Sequence, residues 1–224
     1  MFWNPIKPLL KQIEIRSNPG NEPVTVDWIP EALEQVGTGT DAVVVRHPSY
    51  PDIVFKVYAD GREEARKNEF EVYRRLGESP YFPVCHGMDE GFLVLSHEPG
   101  VTLYECIVQG IRIPAKVVDE VEEARNYVRS VGLNPRDIHL KNVLLQEGHA
   151  KLLDVSEYLK PGDDGRWDHL VQAFESFYPL IEGKKIPVWL IELVKKTYYD
   201  QVNGDFSIAE FGRQFIQLLV RGKR

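Results

Sequence analysis

The sequence has few cysteines, no excess of basic residues and no long apolar run. Its 224 residues include only Cys85 and Cys106, so a disulfide scaffold is not expected and a reducing compartment is. The formal net charge of −7 argues against a bulk nucleic-acid binder, because neutralising phosphates takes a concentrated basic surface. The N-terminal segment lacks the apolar core of a signal peptide, and runs such as "IPVWLIELV" are too short to span a bilayer. We therefore expect a cytoplasmic protein with neither a nucleic-acid partner nor a membrane partner.

A hydrophobic content of 43% is sufficient to bury a core, and its distribution changes along the chain. The region up to about Pro30 is irregular. Apolar runs separated by glycine and proline turns follow, and they predict three antiparallel strands over 32–58, a helix over 61–76 and two more strands over 82–95. Beyond Gly100 helical patterns dominate, and three helices are predicted after Asp154.

The segment "NPRDIHLKN" is polar and precedes a predicted β-hairpin. If residues 143–145 pair with 151–153, Asn142 and Asp154 flank the open ends of the hairpin and lie side by side. Asp137 enters from the preceding loop, so three oxygen-bearing side chains converge there. Such ligands suit Mg²⁺, whereas turn and cap roles are the plain alternative for Asp and Asn.

Lys56 is flanked by apolar residues in "IVFKVY". It is either a charged residue on an edge strand or one member of a buried ion pair. Glu69 is the only charged residue in a helical apolar stripe, which makes it the candidate partner. A stripe rotated onto Phe70 and Tyr73, with Glu69 at its border, fits the pattern equally well. The glycines of "GTGTDA" indicate a hairpin turn or a backbone contact to phosphate.

The order and separation of these parts resemble the protein-kinase-like superfamily from about Ala32 to Leu170. The short segment between Asp154 and Asp168 is similar to that of compact bacterial-type serine/threonine kinases and of RIO-type and KEOPS-complex kinases. The resemblance implies an α+β, two-lobed kinase-like fold, with an antiparallel N-lobe sheet carrying one helix and a shortened, mainly helical C-lobe. The implied boundaries are an N-terminal extension over 1–30, an N-lobe over 31–95, a hinge over 96–100 and a C-lobe over 101–224, together one kinase-like domain.

The resemblance also implies roles for individual residues. Asp137 would accept or orient the proton of the attacking hydroxyl, and Lys56, paired with Glu69, would hold the phosphates of ATP. Asn142 and Asp154 would hold Mg²⁺, with Mn²⁺ as an alternative ion. Leu95 would be the gatekeeper, and the backbone of Ser96 and Glu98 would contact adenine. The complete set of implied ATP contacts is Val36, Gly37, Gly39, Val44, Val54, Lys56, Leu95, Ser96, Glu98 and Leu144. Asp168 could brace the catalytic loop or simply begin a helix.

The implied function is an ATP- and Mg²⁺-dependent serine/threonine protein kinase, whose acceptor is a protein substrate, itself included by autophosphorylation. His139 favours a second hypothesis, a small-molecule kinase of the aminoglycoside-phosphotransferase type. Pro135 and Val155-Ser156 depart from the family pattern and motivate a third, a pseudokinase that binds ATP and acts through a partner.

Overall fold

A computed structural model describes the backbone of residues 1–20 and 22–201. The chain divides into two compact units. The first unit comprises Met1–Pro99, Tyr127–Asn134 and Asp154–Pro161, and the second comprises Gly100–Asn126, Pro135–Leu153 and the chain from Gly162 onward. No helix within the described residues is long and apolar enough to cross a membrane.

The N-terminal residues contain short elements, so the prediction that they are irregular up to about Pro30 is wrong. Their elements are a 3₁₀ turn (Asn4–Ile6), α1 (Lys7–Leu10), β1 (Glu14–Arg16) and β2 (Thr25–Trp28), with β1 and β2 antiparallel. Trp3, Ile6 and Leu10 are buried in the same core cluster as Phe55 and Phe92. A proline lies in the first turn of each helical element, a position with which proline is compatible. These prolines interrupt the apolar residues in such short elements, so no helical period could be recognised in the sequence.

The first unit is built on a five-stranded antiparallel sheet in the order β3-β4-β5-β7-β6. Its strands are β3 (Glu34–Thr38), β4 (Ala42–Arg46), β5 (Ile53–Tyr58), β6 (Cys85–Asp89) and β7 (Phe92–Ser96). Helix α2 (Glu63–Leu76) contacts β6 and β7 and buries Glu69, Val72 and Leu76. The predicted α+β class with an antiparallel sheet and a helix after its third strand is confirmed.

The second unit combines helices with a three-stranded antiparallel sheet in the order β10-β9-β8. The remaining elements are β8 (Val101–Thr102), α3 (Leu103–Gln109), α4 (Lys116–Ser130), β9 (Val143–Gln146), β10 (His149–Leu152), α5 (Arg166–Ile181) and α6 (Val188–Gln201). The last four residues of α4, 127–130, belong to the first unit. Two of the three helices predicted after Asp154 are α5 and α6. The third, predicted over 207–221, lies outside the described residues.

The predicted hairpin is present as β9 and β10, but its register differs by one residue from the predicted one. Val143 pairs with Leu152 and Leu145 with Ala150. The turn consists of the two residues Glu147 and Gly148, with φ angles of 51° and 84°. A two-residue turn with positive φ at both positions matches the twist of the strands, and it sets this register.

Candidate active site

Lys56 lies at the centre of the sheet in the first unit, opposite Val44 on β4 and Leu93 on β7. Because β5 has a neighbour on each side, the edge-strand interpretation of Lys56 is wrong. Its ammonium donates to both carboxylate oxygens of Glu69, each at 2.7 Å. The side chain of Lys56 is 11% exposed and that of Glu69 is 1% exposed. The structure therefore contains the buried ion pair and not the rotated stripe.

Two further groups surround this pair. The hydroxyl of Tyr58 donates to Glu69 Oε2 at 2.6 Å, and Asp154 Oδ1 lies 3.8 Å from Lys56 Nζ. The Asp154 carboxylate also accepts the backbone N–H of Ser156 at 3.0 Å, which orients it. A cation is thus held on the sheet with one carboxylate buried beside it and a second, about one third exposed, next to it.

The charges in this cluster are strongly coupled. Burial alone would lower the pKa of Lys56, but the carboxylates of Asp154 and Glu69 outweigh it and raise that pKa above its ordinary value. Burial raises the pKa of Glu69, against the opposing effect of Lys56. Lys56 is therefore a permanent cation at neutral pH, and a permanent cation with a fixed position is suited to binding phosphate oxygens.

Asp137 is held by backbone contacts in the second unit. Its N–H donates to Asp164 Oδ2 at 2.8 Å, and its carbonyl accepts the side-chain amide N–H of Asn142 at 3.1 Å. Its φ of 54° lies in the left-handed region, which Asp tolerates better than most residues. The carboxylate forms an ion pair with the guanidinium of Arg166, through Asp137 Oδ1. Both the backbone and the side chain of Asp137 are therefore positioned by contacts within this unit.

His139 and Asn142 lie in the turn after Asp137. The N–H of Lys141 donates to His139 Nδ1 at 3.2 Å, and His139 Nε2 lies 3.9 Å from Asp137 Oδ2. The backbone carbonyl of Asn142 accepts the N–H of Leu153 at 2.9 Å, which extends the hairpin by one hydrogen bond. The side-chain amide nitrogen of Asn142 donates a hydrogen bond to the Asp137 carbonyl, and the amide oxygen is the atom that would ligate a cation.

The predicted nucleotide contacts are distributed over both units. On the sheet of the first unit, Gly37 pairs with Val44, and Val54 pairs with the buried Leu95. Val36 is 40% exposed on β3, and in the second unit Leu144 is buried on β9. Their predicted contacts with ATP stay predictions.

The glycine turn and the predicted hinge have their own hydrogen bonds. Gly39 donates its N–H to the carbonyl of Ala42 at 2.8 Å, so this N–H closes the turn between β3 and β4. Ser96 donates its N–H to the carbonyl of Val84 at 2.8 Å, and its hydroxyl donates to Glu98 Oε1 at 2.6 Å. Any adenine contact made by the backbone of Ser96 would therefore use its carbonyl oxygen as an acceptor.

Asp164 and Arg166 were not predicted from the sequence, and of the two roles considered for Asp168 the structure shows the residue at the start of a helix and not the brace. Asp168 lies in the first turn of α5, where its carboxylate accepts a hydrogen bond from Arg125 at 2.6 Å and is 54% exposed. Asp164 is the residue that bonds to Asp137. The signal was the segment "GDDGRW", in which two acidic residues and a glycine precede a helix that begins with arginine.

Sequence similarity to a known protein identifies the family of this chain. No protein-family model matches the chain. Over 171 residues the chain is 30% identical to the Bacillus subtilis (strain 168) protein named "Putative serine/threonine-protein kinase YrzF", an alignment that covers 75% of this chain and 80% of that protein. The crystal structure of the PknI kinase domain from Mycobacterium tuberculosis is 21% identical, with a TM-score of 0.44 over 69% of this chain and 75% of that one. On the identity to the Bacillus protein across most of its length, the chain belongs to the protein-kinase-like superfamily.

Proposed function

We propose that the chain is an ATP- and Mg²⁺-dependent phosphotransferase that phosphorylates serine or threonine on a protein. The observation that carries this proposal is the buried Lys56–Glu69 pair with Asp154 at 3.8 Å from the ammonium. A buried pair of this kind is costly to form, and hydrophobic residues of similar volume often stabilise a protein more. Its presence is accounted for if Lys56 holds the phosphates of ATP, as the resemblance implies.

The acidic and amide side chains are suited to the metal in this proposal. Asp154 would offer a carboxylate that is 34% exposed, and Asn142 would offer an amide oxygen, since its amide nitrogen donates to the Asp137 carbonyl. Mg²⁺ binds through few protein oxygens and completes its octahedron with water and phosphate oxygens. Bound in this way, the ion supplies positive charge that offsets the charge of the phosphates.

Asp137 has the role of accepting or orienting the proton of the acceptor hydroxyl. Its carboxylate is 30% exposed, so an acceptor can reach it, while its backbone is fixed by Asp164 and Asn142. Catalysis by such a site depends on position and electrostatics more than on covalent chemistry. The protein acceptor is proposed from the name of the Bacillus relative.

The transfer step is tested with γ-labelled ATP and Mg²⁺. We expect label to reach the chain itself, an added protein or water at a rate that Asp137→Asn lowers by about 10²- to 10⁴-fold, the usual size of a general-base effect. Asp119→Asn is the matched control, because Asp119 is an exposed carboxylate on α4 of the same unit. Equal transfer by the wild type and Asp137→Asn contradicts the proposal.

Nucleotide binding is tested separately by thermal unfolding with and without MgATP. A stabilisation by MgATP is expected in the wild type and in Asp60→Asn, whose carboxylate is exposed, and it should be reduced in Asp154→Asn. Stabilisation by MgATP without transfer of label to any acceptor would instead favour an ATP-binding pseudokinase.

A further inference from the structure

Asp137, Asp164 and Arg166 form a closed ring of contacts in the second unit. Asp164 Oδ2 accepts the N–H of Asp137 at 2.8 Å, while Asp164 Oδ1 accepts the N–H of Arg166 at 3.2 Å. The ring is closed by the ion pair between the guanidinium of Arg166 and Asp137 Oδ1. A single acidic residue therefore holds the backbones of both members of an ion pair.

The ring restricts rotation of the Asp137 side chain, which the hydrogen bonds to its backbone do not restrict. Hydrogen bonds to the N–H and the carbonyl of Asp137 hold its φ of 54°, but they do not restrict rotation about its Cα–Cβ bond. The guanidinium of Arg166 restricts that rotation, because a charge-assisted hydrogen bond has a defined direction. The contact is made through Oδ1, one of the two carboxylate oxygens.

The second carboxylate oxygen of Asp137, Oδ2, lies near the imidazole of His139. Because His139 Nδ1 accepts the N–H of Lys141, the neutral imidazole carries its proton on Nε2, which is 3.9 Å from Asp137 Oδ2. The Asp137 carboxylate thus has the Arg166 guanidinium at Oδ1 and the His139 imidazole 3.9 Å from Oδ2.

Arg166 itself is held firmly by the segment that carries it. It is the first residue of α5, and on either side of it Asp163 and Asp168 bond to Arg125 at 2.8 and 2.6 Å. The Arg125 side chain is 3% exposed on α4, so it attaches this segment to the interior of the unit.

We infer that Arg166 is a positioning residue, which sets the Asp137 carboxylate in the orientation needed for phosphoryl transfer. This inference rests on the proposed function, because it assigns Arg166 a role through the catalytic group named there. It predicts a loss of turnover without a loss of nucleotide affinity, since Arg166 acts on the acceptor side of the reaction.

The test compares Arg166→Ala and Arg166→Lys with the wild type in the Asp137-dependent transfer of label from γ-labelled ATP. We expect kcat of Arg166→Ala to fall by about 10²-fold, the effect of a small misplacement of a catalytic group, with KM for ATP unchanged. Added guanidinium chloride at a non-denaturing concentration should restore part of kcat, whereas the same concentration of tetramethylammonium chloride should not. Arg166→Lys should keep an intermediate activity. Arg112→Gln, which breaks an exposed ion pair with Glu182 in the same unit, is the control and should match the wild type.

The outcomes separate this inference from the proposed function. An active wild type with an unchanged or increased kcat in Arg166→Ala overturns the inference alone. A lower kcat that guanidinium does not restore also overturns it, because it indicates a structural role, and circular dichroism of the variant would show the altered fold. A wild type without Asp137-dependent transfer overturns both.

Discussion

The buried pair of Lys56 and Glu69 allows a quantitative test by a double-mutant cycle. Lys56→Met removes the cation and leaves the Glu69 carboxylate, which is 1% exposed, without its counter-charge. Removing one partner of a buried ion pair costs about 3–5 kcal/mol, a large part of the usual free energy of unfolding of about 5–15 kcal/mol.

The other arm of the cycle is expected to cost less. Glu69→Gln keeps an oxygen acceptor for the hydroxyl of Tyr58, and Lys56 retains Asp154 at 3.8 Å as a counter-charge. We therefore expect a loss of about 1–3 kcal/mol, the range for hydrogen bonds that involve a charged group. The double variant loses both charges together, so its cost should be smaller than the sum by a coupling of about 1–3 kcal/mol.

The free energies of unfolding are measured by urea denaturation followed by far-UV circular dichroism, at neutral pH and without nucleotide. Lys160→Met is the control, because its ion pair with Glu157 has a similar distance, 2.6 Å against 2.7 Å, but a lysine that is 61% exposed. An exposed pair contributes at most about 1 kcal/mol. If the two single effects at Lys56 and Glu69 add to within about 0.5 kcal/mol in the double variant, the two residues are not energetically coupled and the expectation is wrong.

Three further predictions concern stability. A hydrogen-bonded ion pair with Lys7 lowers the pKa of Asp89 from 3.8 to about 2. The stabilisation from this ion pair is therefore complete above pH 3.8 and is lost as the pH falls through about 2. Urea unfolding over this pH range should show that loss in the wild type and a smaller one in Asp89→Asn. In Gly87→Ala the new Cβ would lie 2.7 Å from the indole of Trp3, and we expect a cost of about 1–3 kcal/mol. Gly61→Ala is the control, because Gly61 also has a positive φ but its new Cβ would meet open space. An equal loss of stability in the two variants, measured by thermal unfolding, would argue against steric overlap with Trp3 as the cause. Thr102→Ala removes the capping box of α3 and should lower the free energy of unfolding by about 1 kcal/mol, while Thr102→Ser should not.

Periodicity and turn chemistry were sufficient to predict the strands of the five-stranded sheet, α2 and the presence of the β9–β10 hairpin, though not its register, because these elements are specified by neighbours close in sequence. The same reasoning could not predict the packing of Trp3 and Leu10. Their burial depends on strands far along the chain, such as β7 with Phe92, and short helical elements with prolines carry no clear period.

The candidate site divides in the same way. The spacing of Lys56, Glu69, Asp137, Asn142 and Asp154 was sufficient to identify the resemblance. The alternatives left open for Lys56 and Glu69 could be decided only by contacts, because a helical stripe can face the sheet in more than one rotation.

The resemblance to the family, the α+β class and the acidic and basic residues of the proposed site could therefore all be predicted from the sequence. Three contacts became known only from the fold: Glu69 is the buried partner of Lys56, Asp164 and not Asp168 binds the Asp137 backbone, and Arg166 pairs with the Asp137 carboxylate. The physical reason is that an ion pair or hydrogen bond depends on distances of a few ångströms between groups far apart in sequence. A local pattern determines which face a side chain occupies, but it does not determine which distant group that side chain meets.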